Sequence, residues 1–249
     1  MSKKLVIANW KMNPTTLKET NSLISGFLKY KFKKSNLIIC PPFVFIPHIK
    51  NKISKSKKIF LGAQDAFYEN KGSSTGEISP KMLVDLKVEY VILGHSERRA
   101  LGESNELINK KLLLALKNKL NPILCVGENK RDTDGFYLSY VKKQLHKCLK
   151  GVSKSKMKNV IIAYEPVWAV GSDNEATSAE FTEMNIFIKK IISDIYDPKT
   201  AYSIKIIYGG SVHPKNVKSF EDADGFLVGR DSLNVDKFEK ILLNIDEIN

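Results

Sequence analysis

Arginine is nearly missing from this sequence. Of 40 basic residues in a chain of 249 with net charge +13, only residues 98, 99, 131 and 230 are arginine. Readers of nucleic acid rely on arginine forks for base edges and phosphates. Here lysine gathers instead in short runs at residues 29–34, 55–58 and 154–158, with no helix-turn-helix, zinc-finger or RNP-type pattern beside them. These runs read as solvated faces, no nucleic-acid partner is expected, and the charge is expected to draw small anions inward. Cysteine is equally sparse. Cys40, Cys125 and Cys148 have no metal-type spacing and cannot all pair, which suits reduced thiols in a cytosol and nominates no metal site. No apolar run approaches the roughly 18–20 residues of a membrane span, and the first one is broken at Asn9 and Lys11, too early for a signal-peptide core. The expectation is a cytoplasmic protein with no membrane partner. Also missing are a dinucleotide-binding glycine fingerprint and any linker or composition break, so residues 1–249 read as one domain.

What is present is alternation. Short apolar, β-branched runs occur at residues 5–8, 37–40, 59–61, 90–93, 123–126, 160–164, 204–208 and 225–228. Between them lie helical patterns, among them Leu17, Leu23, Ile24, Phe27 and Leu28, then Leu107, Ile108, Leu112 and Leu113, and later Phe181, Met184, Phe187, Ile188, Ile191 and Ile192. Continuous apolar strands alternating with helices indicate a parallel sheet covered on both faces. Eight such units in about 250 residues indicate closure into an α/β (β/α)8 barrel, eight parallel strands ringed by helices.

Barrel chemistry sits where the strands end, so the residues following each run matter most. The sixth run stops on Glu165 before Pro166, and proline keeps the residue before it extended, so the strand aims this carboxylate. Val167, Trp168, Ala169 and Val170 then form an apolar tip before Gly171, Ser172, Asp173 and Asn174. That tip reads either as a closing lid or as a loop whose Trp168 packs on the barrel wall. After the first run come Asn9 and Lys11, an amide and a compact cation; after the fourth comes His95, followed by Glu97 and Arg98, which read as a supporting ion pair. Gly209, Gly210 and Ser211 follow the seventh run, and Gly229 and Arg230 the eighth, where barrels commonly hold a phosphate on backbone N–H groups. A base, an imidazole and a cation beside two glycine turns suggest cofactor-free proton transfer next to the carbonyl of a small phosphorylated molecule.

Six stretches together resemble the triosephosphate isomerase family: Ala-Asn-Trp-Lys-Met-Asn at 8–13, Gly-Ala-Gln-Asp at 62–65, Thr-Gly-Glu-Ile-Ser at 75–79, Ile-Leu-Gly-His-Ser-Glu-Arg-Arg at 92–99, Ala-Tyr-Glu-Pro-Val-Trp-Ala-Val-Gly at 163–171, and Tyr-Gly-Gly-Ser-Val at 208–212. The resemblance spans nearly the whole chain. It implies interconversion of dihydroxyacetone phosphate and D-glyceraldehyde 3-phosphate, with Glu165 as base, neutral His95 polarising the carbonyl, and Lys11 and Asn9 supporting the developing charge. That division of roles is the family's known one. It further implies a lid from Pro166 to Ala176 that closes on the phosphate, donors from Gly171, Ser211, Gly229 and position 230, and a latch from Tyr208 and Ser211. A homodimer follows too, with Thr75 entering the neighbouring subunit near Asn9 and His95.

The chain departs from the family pattern in three places. Arg230 stands where a second glycine is usual, which predicts strain of about 1–3 kcal/mol if that position needs positive φ. Residues 173–176 bring acids to the lid's far hinge. The segment after Arg99 is one residue shorter than usual, which is expected to move Glu103 relative to Arg98.

Overall fold

The computed structural model describes residues 3–169 and 175–248. Eight parallel strands close on themselves in chain order: β1 (Lys4–Asn9), β2 (Ser35–Cys40), β3 (Ile59–Ala63), β4 (Tyr90–Leu93), β5 (Asn121–Val126), β6 (Ile161–Tyr164), β7 (Lys205–Tyr208) and β8 (Gly225–Val228). Closure comes from β1 pairing with β8, Leu5 opposite Gly225 and Ala8 opposite Val228. All eight expected strands are present, some of them a residue or two longer or shorter at one end or both.

Strand side chains alternate between faces, and the core divides accordingly. Leu5, Ile7, Ile38, Cys40, Ile92, Ile123, Cys125, Ile161, Ala163, Ile207 and Leu227 fill the barrel interior. Their neighbours in sequence, such as Val6, Ala8, Leu37, Ile39, Val91, Leu93, Ile162 and Ile206, face outward and pack on the helices. Burying both faces is what makes the strands read as unbroken apolar runs. Cys40 and Cys125 belong to the interior layer, and burial pushes both thiols up.

The three helical patterns appear as Leu17–Lys29, Asn105–Lys117 and Ser178–Ile195. Thr16 with Glu19 and Thr177 with Glu180 form capping boxes that start the first and third, each satisfying otherwise orphaned N–H groups. The lysine runs lie in the segments that precede β2, β3 and β6, the third of them largely in the short helix Lys154–Met157, on the rim away from the strands' C-terminal ends. A six-residue strand separates the rims by about 20 Å, beyond a screening length of about 8 Å at physiological salt. These runs therefore do little to draw anions to the mouth, contrary to the expectation from net charge.

Candidate active site

The mouth of the barrel is a cavity of about 510 Å³, lined by Asn9, Lys11 and His95 on one side and by Gly209, Gly210, Ser211, Gly229 and Arg230 on the other. Asn9 ends β1, and its Oδ1 accepts the N–H of Lys11 at 3.1 Å. Lys11 holds a left-handed backbone, φ 53°, which costs a side-chain-bearing residue energy and persists only where neighbours impose it. Gln64 is such a neighbour: its Nε2 donates to the Lys11 carbonyl at 2.8 Å and to that of Cys40 at 2.9 Å. Lys11 Nζ reaches Glu97 Oε1 at 2.5 Å, and its stem passes 3.6 Å from where a Cβ on Gly229 would stand. The cation thus bridges the imidazole side of the mouth and the glycine side.

His95 follows β4 as the cap of the short helix Ser96–Ala100. Its Nδ1 accepts the N–H of Glu97 at 3.2 Å, which places the proton of a neutral ring on Nε2. That nitrogen stands 3.4 Å from Glu165 Oε1. The other oxygen, Glu165 Oε2, accepts the N–H of Ser96 at 3.1 Å. Glu165 is buried at 2% exposure, and its Oε1 makes no full hydrogen bond among the described residues. A buried carboxylate oxygen without a donor carries a desolvation cost and is poised to accept one. The backbone here is packed so closely that a Cβ on Gly127 would lie 1.7 Å from the Glu165 carbonyl, so only glycine fits beside Glu165.

On the far wall, a Cβ on Gly210 would fall 2.2 Å from Tyr208 Oη. Tyr208 stacks on Phe220 at 4.0 Å between ring centroids, and its buried hydroxyl has no partner among the described residues. Two expectations are corrected here. Arg230 opens a 3₁₀ turn, Arg230–Leu233, without positive φ, so it imposes none of the strain predicted for it. Glu97 and Arg98 do not pair: Glu97 serves Lys11, while Arg98 binds Glu103 Oε1 at 2.7 Å and Asp65 Oδ2 at 3.2 Å. Consecutive helical residues diverge by about 100°, which sends these two side chains to different partners. Despite the shortened segment, Glu103 lies within reach of Arg98 and also takes Lys111 Nζ at 2.5 Å.

The sequence model of the triosephosphate isomerase family matches residues 4–245. The chain belongs to the triosephosphate isomerase family. Among curated relatives, the triosephosphate isomerase of Dictyoglomus turgidum is 43% identical over 249 residues, covering 97% of this chain and 99% of its own. That of Aquifex aeolicus is 42% identical over 247 residues, 96% of this chain and 98% of its own, and that of Moorella thermoacetica is 42% identical over 253 residues, 99% and 100%. No helix among the described residues is long and apolar enough to cross a membrane.

Within this triosephosphate isomerase fold, Pro166, Val167, Trp168 and Ala169 leave the end of β6, and Ala176 is buried on the return. Val170, Gly171 and the hinge residues Asp173 and Asn174 lie outside the described residues. Reading the sequence missed Glu128, which stands just past the end of β5. Its Oε1 accepts the Tyr164 hydroxyl at 2.8 Å and Trp168 Nε1 at 2.9 Å, and its carbonyl accepts Val167 N–H at 3.0 Å. Burial pushes its carboxyl up against the opposing effect of those two donors. The signal was available, since Gly127-Glu128 follows an apolar strand just as Glu165 does. Trp168 is accordingly tied to β5 and only partly buried, an arrangement between the two alternatives of lid and wall packing.

Proposed function

We propose that the chain interconverts dihydroxyacetone phosphate and D-glyceraldehyde 3-phosphate by proton transfer through an enediolate, as one barrel domain acting in the cytoplasm. The observation that carries the reading is the meeting of Glu165 with His95 Nε2 at 3.4 Å, directly behind a cavity that also presents Lys11 and two glycine turns. The substrate's phosphate would rest on the backbone of Gly209, Gly210, Ser211 and Gly229, where missing side chains let the anion approach. Glu165 would leave the Ser96 amide by side-chain rotation and take the proton from the carbon next to the carbonyl. His95, with its Nε2 proton directed into the site, would polarise that carbonyl and carry protons between the two oxygens. Lys11 and Asn9 would hold the negative charge that develops. Residues 166–176 would close over the phosphate, with Gly171 adding a donor and Tyr208 and Ser211 latching them.

A homodimer is part of the same proposal. Met12, Val44 and Leu101, exposed at 89%, 79% and 78%, lie in the segments after β1, β2 and β4, and Thr75 is exposed in the segment after β3. Large apolar residues bared on adjoining loops are costly unless a partner covers them.

The test is isomerisation of D-glyceraldehyde 3-phosphate, coupled to reduction of the ketone product, alongside ribose and hexose phosphates. Turnover on the triose alone is expected. Turnover confined to the larger sugars would replace the reading with another phosphosugar isomerase on the same barrel.

A further inference from the structure

Two carboxylates line the cavity that is read above as taking a phosphate, and both are engaged. Asp231 lies 3.5 Å from Lys237 Nζ. Glu175 is held more completely. His213 Nε2 stands 2.6 Å from Glu175 Oε1, and Asn216 Nδ2 donates to Oε2 at 3.1 Å. The Lys215 N–H donates to His213 Nδ1 at 3.2 Å, which leaves the ring proton on Nε2, directed at the carboxylate. Asn216 is fixed in turn, its Oδ1 accepting the His213 N–H at 3.0 Å and its Nδ2 donating to the Ser211 carbonyl at 2.7 Å.

An uncompensated carboxylate in the wall of a phosphate pocket repels the ligand. Here each of its oxygens is taken by a donor from the 213–216 turn, and the same turn grips Ser211. We propose that Glu175, His213 and Asn216 form a positioning clamp for phosphate recognition, which turns the Glu175 charge away from the anion while fixing the turn that carries Ser211. The inference rests on the phosphate reading of this cavity. It assigns His213 a part in substrate affinity without contact with the reacting carbons.

The experiment measures binding of inorganic phosphate by calorimetry, and kinetics on D-glyceraldehyde 3-phosphate and on unphosphorylated glyceraldehyde. Glu175 and His213 are partly exposed, so His213→Ala should weaken phosphate and raise KM for the phosphorylated triose about two- to fivefold, the range of a solvent-screened pair. Its kcat should change less than KM, and kcat/KM for glyceraldehyde should not fall. His213→Gln, whose amide also donates, should stay near the parent, and adding Glu175→Gln to His213→Ala should restore affinity by removing the charge. The inference is overturned if His213→Ala changes neither constant, if the double variant remains weakened, or if glyceraldehyde suffers equally. A parent that binds phosphate with this pattern yet turns over no triose phosphate would instead sink the isomerase reading and leave the clamp standing.

Discussion

Arg230 shows how a single side chain and its backbone can act separately. Its turn is unstrained, so the residue keeps its backbone N–H in the cavity wall and adds an exposed guanidinium at the cavity's edge. Arg230→Gly should raise KM for the phosphorylated triose about two- to fivefold by removing a screened cation, with melting temperature little changed. Steady-state kinetics with a thermal melt decides it: unchanged KM would make the side chain irrelevant, and a clear gain in stability would mean the turn was strained after all. At this scale the sequence spoke plainly for Asn9, Lys11, His95 and Glu165, because each comes at or just after the end of an apolar strand and so had to face the mouth. It was silent on backbone torsion. The left-handed turn at Lys11 has no marker, since any residue can be forced there by a neighbour such as Gln64, and for the same reason the strain expected of Arg230 was not there.

Elements are held in place by groups remote from the chemistry, and Asp246 is the clearest. It sits in the last helix, Val235–Glu247, and pins the turn leading into β2. Its oxygens accept Lys33 N–H at 2.9 Å, Lys34 N–H at 2.8 Å, the Ser35 hydroxyl at 3.0 Å and the Tyr30 hydroxyl at 2.9 Å. Burial pushes this carboxyl up, but the four donors outweigh burial and hold it below 3.8. A carboxyl depressed on folding stabilises the protein above its unfolded pKa, and that contribution is lost as pH falls through the lower, folded value. Asp246→Ala should therefore cost about 2–4 kcal/mol at pH 7, the worth of several hydrogen bonds to a charged acceptor. In urea titrations the gap between parent and variant should narrow below pH 3.8; a gap constant down to pH 2 would mean that packing, not the charge, does the pinning. Strands and long helices were legible as elements because their periodicity is enforced by burial. The short helices Pro80–Asp85 and Pro198–Ser203 were not, since six residues carry too few apolar positions to show a period.

Across the whole molecule, polar groups are separated by rim: Asn9, Lys11, His95 and Glu165 end or follow the strands, while the lysine runs occupy the segments before them. The apolar residues bared after β1, β2 and β4 predict a dimer of the 28.1 kDa chain. In sedimentation, the parent should run at twice that mass, and Met12→Asp should shift it toward the monomer with at least about a tenfold loss of activity, as for protomers stable only when paired. A fully active monomer would contradict the pairing. What the barrel as a whole achieves is to bring Glu165 from β6 against His95 from β4, and this meeting is the account's central claim. It is tested most directly by incubating dihydroxyacetone phosphate in deuterium oxide with the parent and with Glu165→Ala, and following deuterium into the carbon next to the carbonyl. The account predicts rapid labelling by the parent and at least a hundredfold slower labelling by the variant, the low end of about 10²–10⁴ for a general base. Equal labelling by both proteins would contradict it, and would place the base elsewhere in the mouth.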